Sequence, residues 1–231
     1  GMNIAFSYGM RRPAGARPSE WLRQEKGFVG RFSKTVVPVI FNEGLWAVGT
    51  TMYNVFYGRM GDAAVATMGV CTTINDLVWV AIFALMNATA IIVGKALGAG
   101  DRERAYLYAK RMMAGALAAG VALGVAVIAV RWPLVNIFSG LSYPVRDKAQ
   151  FILLLGGMTI WFRAFNTINI VGVLRSGGDT LFSLCLDVGT LWLVGVTSTG
   201  LAALVFHWPL EWVYACTFPV SYTHLRAHET G

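Results

Sequence analysis

The feature that most limits how this chain can fold is a series of apolar runs, each long enough to cross a membrane. The runs are residues 36–57, 65–94, 112–130, 149–174 and 181–206. About 20 mostly apolar residues, wound as a helix, cross a hydrocarbon core roughly 30 Å thick. The sequence therefore predicts an all-α bundle of five full transmembrane helices, and a truncated sixth that begins at Leu210 and breaks off near residue 219.

The composition agrees with a polytopic membrane protein and speaks against other classes. Hydrophobic residues make up 56% of the chain, charged residues 13%, and the mean hydropathy is +0.57, which is too apolar for an ordinary soluble domain. The net charge of +7 comes from Lys and Arg that separate the apolar runs instead of forming a patch, so we expect no nucleic-acid partner. The three cysteines have no paired spacing, which argues against a disulfide framework or a zinc site.

Composition also divides the chain into three parts. Residues 1–35 are a basic linker with seven Lys and Arg residues, residues 36–219 hold the apolar runs, and residues 220–231 are polar without periodicity. The last part looks like the translation of a sequencing-library adaptor, and we leave it out of the fold prediction. With the linker in the cytoplasm, thirteen basic residues lie inside and four outside, which is a positive-inside bias.

One carboxylate, Glu43, lies about 10 Å inside the first run. A lone charge at that depth is costly in lipid, so it should face protein or water. Helical spacing places four further side chains on the same face, Trp46, Thr50, Tyr53 and Asn54. We interpret this face as the wall of a cavity. The alternative is a structural role in which Glu43 supports a helix contact through Asn42 and Trp46.

Three more runs carry polar stripes of this kind. They are Gly69, Thr72, Thr73 and Asp76 in the second run, Thr159, Arg163, Asn166 and Thr167 in the fourth, and Ser183, Asp187, Thr190, Val194, Thr197 and Ser198 in the fifth. Either they line the cavity, or they form interhelical hydrogen bonds of about 1 kcal/mol each. Counted by depth, Arg163 should pair with Asp76, which leaves Glu43 and Asp187 as acids that couple to a proton or a small cation.

Two patterns of small residues predict local structure. Ala116, Gly120 and Gly124 recur every fourth residue in the third run, which lets another helix approach closely. The glycines of GKALGAGD, residues 94–101, indicate a helix terminus better than a phosphate loop, because the Lys-Ser/Thr ending of such a loop is missing. The chain also contains no metalloprotease, nucleophile-elbow or paired-cysteine motif, so we predict no enzyme, no catalytic residue, no bound metal and no cofactor.

Two motifs carry a resemblance to a known family. VGKALGAGDRERA, residues 93–105, and VLRSGGDT, residues 173–180, resemble the multidrug and toxic compound extrusion (MATE) family in order and spacing. The resemblance covers residues 32–219 and is to the second six-helix lobe of these twelve-helix transporters. It implies a half-length fragment of an antiporter in a bacterial cytoplasmic (inner) membrane, exporting amphipathic, often cationic small molecules in exchange for sodium or protons. Its partners would be membrane lipid and the missing N-terminal lobe.

The sequence departs from that family at one point and leaves alternatives open. Members with a sodium site in this lobe pair a Glu with an Asp on the tenth helix, whereas Glu43 here lies about one turn early and Ala164 stands at the Asp position. The alternatives are a flippase for a lipid-linked precursor and a non-transporting structural membrane protein. A flippase should line its cavity with more cations than Arg163 alone.

Overall fold

The computed structural model describes residues 27–138, 140–178 and 180–218, and these residues form helices without strands. The helices are Phe28–Arg59 (α1), Asp62–Gly98 (α2), Arg102–Ile137 (α3), Tyr143–Leu174 (α4), Thr180–Val205 (α5) and Leu210–Ala215 (α6). The predicted all-α fold is therefore confirmed. Short connections join successive helices, so neighbours in sequence run antiparallel, as in other helix bundles.

The chain divides into two compact units, residues 1–38 and 39–231. Of the predicted linker, residues 1–26 lie outside the described residues, whereas α1 begins at Phe28, eight residues before the predicted span. A helix extends cheaply once it is nucleated, because each added residue contributes one more backbone hydrogen bond. The interpretation of residues 220–231 as an adaptor also lies outside the described residues and stays a prediction.

Four of the helices, α2 to α5, are long and apolar enough to cross a bilayer. Helix α1 has the length but is not among them, because Asn42 and Glu43 lower its hydropathy. The chain is thus a multi-pass membrane protein, while the count of five full spans and a truncated sixth stays a prediction. Helix α6 does begin at Leu210, as expected.

Helix α4 lies at the centre of the bundle. Half of its most apolar window is buried, against 22% for α2 and α3, and Ile152, Leu153, Phe162 and Ile168 are almost completely buried. Because the remaining faces of α2 and α3 are apolar and exposed, they are suited to contact lipid.

The predicted close approach of α3 is confirmed, and its partner is α4. Ala116, Gly120 and Gly124 are buried. A Cβ added at Gly120 would lie 2.5 Å from Trp161 Cα, and one added at Gly124 would meet Gly157 O. The two backbones come this close only because glycine has no side chain.

The predicted helix terminus at residues 94–101 is also confirmed. Helix α2 ends at Gly98, and Gly100 adopts a φ of 78°, in the left-handed region that favours glycine. Asp101 caps α3, since its carboxylate accepts a hydrogen bond from Arg104 N.

Two helices contain wide turns that the sequence did not predict. In α4, Ile168–Leu174 is π-helical, and so are Leu191–Val196 and Leu201–Val205 in α5. At the end of α4 the Arg175 N–H donates to Ile170 O, five residues back, over 3.1 Å. A π-turn inserts an extra residue and so changes the direction in which the following side chain leaves the helix. The residue affected here is Arg175.

Candidate functional site

Two acids from different helices share one arginine. Arg175, which directly follows α4, donates from Nη1 to Glu43 Oε1 of α1 over 2.7 Å. Its Nη2 lies 3.7 Å from Asp187 Oδ2 of α5. The side chain of Arg175 is only 13% exposed, that of Asp187 22%, and that of Glu43 59%. We call Glu43, Arg175, Asp187 and the adjoining Asn42 the acid cluster.

Asn42 completes the acid cluster from the buried face of α1. Its Nδ2 donates to Asp187 Oδ2 over 3.0 Å, and the residue is 2% exposed. A carboxylate only accepts hydrogen bonds, so the amide nitrogen must face Asp187 and the amide oxygen must face away. That oxygen, Asn42 Oδ1, is buried and has no hydrogen-bond partner among the described residues. Such an orphaned acceptor is costly unless something donates to it or binds it.

The charges of the acid cluster do not balance. Two carboxylates face one guanidinium, which leaves a formal excess of one negative charge. A monovalent cation or a proton would remove that excess. In the part of the chain that the structure describes, no three His, Cys, Asp or Glu side chains converge as a metal site, so a cation here would depend on the two carboxylates and on amide or carbonyl oxygens.

The sequence singled out both acids but missed their partner. The structure brings Glu43 and Asp187 together. Pairing Arg163 with Asp76 left both acids less compensated by positive charge, whereas the structure places Arg175 beside both of them. Arg175 lies in the turn between two apolar runs, where a basic residue indicates membrane topology and not a partner for an acid inside a helix. The sequence carries no signal for this pairing, because the irregular last turn of α4 that precedes Arg175 is seen only in the structure. The coupling role of the two acids stays a prediction.

The polar face of α1 lies beside the face that packs against α5. Asn42, Gly49 and Phe56 are buried and repeat every seven residues, and a Cβ on Gly49 would lie 2.6 Å from Leu191 Cδ2. Glu43 is one residue along the helix and therefore about 100° around it. Of the predicted cavity-lining residues of α1, Trp46 and Asn54 are exposed, and Thr50 and Tyr53 are partly buried.

The polar stripe of α2 is also exposed. Gly69, Thr72, Thr73 and Asp76 all lie on the open side of that helix. Thr72 and Thr73 donate to Met68 O and Gly69 O of their own helix, over 2.7 and 2.9 Å. These hydroxyls therefore do not hold helices together in this chain, and the exposed stripes of α1 and α2 remain available to line a cavity.

The prediction that Arg163 pairs with Asp76 is wrong, because the ion pairs among the described residues do not include this one. The Cζ of Arg163 lies instead 5.1 Å from the centroid of the Trp79 ring, which is a cation–π distance. Asp76 is on the exposed side of α2, whereas Trp79 is three residues further along and partly buried. Depth along the membrane was a poor guide here, because two groups at one depth need not face one another.

The other two predicted cavity residues are inside the chain. Asn166 of α4 is 6% exposed. Thr190 of α5 is partly buried, and its hydroxyl donates to Leu186 O over 2.7 Å. Thr190 lies one helical turn beyond Asp187, at the start of a π-helical segment. Their role in lining the cavity stays a prediction.

Comparison with known proteins shows which family and which solved structures this chain is similar to. The MatE family profile matches residues 38–199. Among solved structures, the fold is similar to a MOP superfamily transporter from Pyrococcus furiosus whose binding pocket of reverse polarity suggests a different function (TM-score 0.77, 13% identity). It is also similar to a MATE protein in complex with MaL6 (0.76, 14%) and to the outward-facing conformation of a multidrug resistance MATE family transporter (0.73, 14%). No curated protein sequence gives a match.

The matched structures are about twice as long as this chain. They cover 84%, 84% and 90% of it, whereas the matches cover 42%, 42% and 45% of their own lengths. At these identities the structures support the fold alone, while the profile covers more than half of the residues. The chain therefore belongs to the MATE family, whose members are membrane transporters and not enzymes, as its motifs at residues 93–105 and 173–180 predicted.

Proposed function

We propose that this chain is one lobe of a secondary active antiporter that exports amphipathic, often cationic compounds in exchange for sodium or protons. The family, the fold and the half-length match support a transporter built from two such lobes. The exposed polar stripes of α1 and α2 support a second lobe across the cavity, because polar faces inside a membrane need protein or water beside them. We place the transporter in a bacterial cytoplasmic membrane, with the basic linker in the cytoplasm.

The observation that carries the antiport proposal is the acid cluster. Its excess negative charge attracts one cation to the two carboxylates, Glu43 and Asp187. Oxygen ligands of this kind suit hard cations. A proton would serve equally well, since a neutral carboxyl group needs no counter-ion.

Arg175 gives the acid cluster two states. Without a bound cation, its guanidinium holds α1 to the end of α4 through Glu43. With a cation between the acids, Glu43 no longer needs the guanidinium, and this link is weakened. Ion binding thereby changes how α1 is held against α4 and α5, which is what coupling an ion to the movement of a helix requires.

The flippase alternative gains no support from the cations. Arg175 is neutralised by two carboxylates, and Arg163 lies over Trp79. Neither presents a free positive charge to an anionic lipid-linked precursor, so antiport is the function that the site favours.

The test uses the full-length transporter that contains this lobe, reconstituted in proteoliposomes. Glu43→Gln and Asp187→Asn keep shape and hydrogen bonding while removing the charge. We expect each to abolish substrate efflux driven by a sodium or proton gradient while leaving folding and substrate binding intact. Glu103→Gln, on the exposed first turn of α3, is the matched control and should export normally. If both cluster variants export at the wild-type rate, with unchanged dependence on pH and sodium, the coupling ion does not use this site.

A further inference from the structure

We propose that a cavity at the opposite end of the bundle from Arg175 binds the headgroup of a zwitterionic phospholipid. The cavity has a volume of about 420 Å³ and lies between the last turns of α3, the first turns of α4 and the start of α6. Lys148 on its wall is 27 residues before Arg175, or roughly 40 Å along the helix axis. The cavity is therefore separate from the acid cluster.

Four charged side chains surround the cavity without pairing with one another. Arg131 and Lys148 supply two positive charges, and Asp147 and Glu211 supply two negative charges. Among the described residues, none of the ion pairs within 4.0 Å involves these four groups. Charges of both signs that stay apart around one cavity match a ligand that itself carries both signs. The lining is electrically neutral, as a zwitterionic headgroup is.

A largely buried amide side chain also lines the cavity. Gln150 lines the same cavity and is 6% exposed. Its side-chain Nε2 is a hydrogen-bond donor. A phosphate or glycerol-ester oxygen in the cavity would accept a hydrogen bond from it.

The surroundings place the cavity at the membrane surface. Trp132, Tyr143, Trp208 and Trp212 are exposed at this end of the bundle, with exposures between 47% and 82%. Trp and Tyr concentrate where a bilayer meets water. Arg131 and Lys148 stand directly at the ends of the apolar runs 112–130 and 149–174, so the cavity lies at the level of the phosphates.

The lining also favours a lipid over a soluble zwitterion. Phe151, Leu154 and Trp212 form an apolar side of the cavity beside the charged groups. A phospholipid would contact the charged side with its headgroup and the apolar side with its acyl chains. A small zwitterionic solute would leave the apolar side exposed to water. We assign the phosphate to Arg131 and Lys148, and the ammonium to Asp147, Glu211 and the exposed ring of Trp212.

The experiment measures which lipids the purified full-length protein retains, by native mass spectrometry after exchange into equimolar phosphatidylethanolamine and phosphatidylglycerol. We expect the wild type to retain the zwitterionic lipid about tenfold better, since one charge-assisted contact is worth at least that factor. Asp147→Asn with Glu211→Gln should reverse this preference, because the lining then carries two net positive charges. Arg131→Gln with Lys148→Gln should abolish retention of both lipids.

The controls separate this proposal from its competitors. Arg59→Gln changes an exposed cation at the same end of the bundle but outside the cavity, and should leave lipid retention unchanged. Equal retention of the two lipids by the wild type, or an unchanged preference in the double acid variant, would overturn the assignment. Displacement of the bound lipid by micromolar glycerophosphoethanolamine, which has no acyl chains, would also overturn it in favour of a soluble ligand.

Discussion

Replacing Arg175 by Gln tests whether its guanidinium competes with the coupling ion. The substitution removes the positive charge that lies 2.7 Å from Glu43 and 3.7 Å from Asp187. A unit charge about 4 Å from another is worth roughly 1 kcal/mol in water and roughly 4 kcal/mol at an effective dielectric constant of 20. The energy of the Arg175–Glu43 contact belongs near the lower value, because Glu43 is 59% exposed to solvent. The energy of the Arg175–Asp187 contact lies closer to the upper value, because Asp187 is only 22% exposed.

The expected result is tighter ion binding. The affinity of the acid cluster for sodium should rise about tenfold, which is about 1.4 kcal/mol. Transport should nevertheless slow, because the ion then leaves the site less readily.

The assay is sodium-22 binding to the purified full-length protein, combined with the rate of substrate efflux from proteoliposomes. Arg163→Gln is the matched control, because its guanidinium lies over Trp79 and outside the acid cluster. Arg175→Lys keeps the charge and should change binding much less. If Arg175→Gln leaves both the sodium affinity and the efflux rate at the wild-type values, Arg175 does not compete with the ion for the acid cluster and the reasoning is refuted.

Three further predictions concern packing and local contacts. Gly120→Ala should lower the free energy of unfolding in detergent by about 1–3 kcal/mol, since its Cβ would meet Trp161 Cα. The control Gly115→Ala, whose Cβ would have nothing within 4 Å, should be neutral or stabilising. Equal losses of stability in the two variants would contradict the close approach of α3 and α4. Asp101→Ala should cost about 1 kcal/mol through loss of the helix cap, seen as faster hydrogen exchange in the first turn of α3 and nowhere else. A double-mutant cycle of Asp76→Asn and Arg163→Gln should be additive within about 0.5 kcal/mol; a coupling energy well above that would restore the ion pair that the structure lacks.

The sequence by itself determined the fold to a large extent. The lengths of the apolar runs set the helices, because a helix must be about 20 residues long to cross a bilayer and its backbone must satisfy its own hydrogen bonds there. Small residues at every fourth position predicted the face of α3 that another helix approaches closely. The glycines before Asp101 predicted the end of α2. These features depend on neighbours a few residues apart, so local spacing was enough to find them.

Only the tertiary structure decided which charged groups meet. Spacing along each helix identified Glu43 and Asp187 as acids inside apolar runs, but it could not supply Arg175, which is 132 residues from Glu43 in sequence. Depth in the membrane predicted that Arg163 pairs with Asp76. In the structure, Arg163 lies instead over the ring of Trp79. The physical reason is that sequence periodicity gives the height and face of a residue on its own helix. The rotation of one helix against another depends on glycine contacts and π-turns that form only when the whole bundle packs.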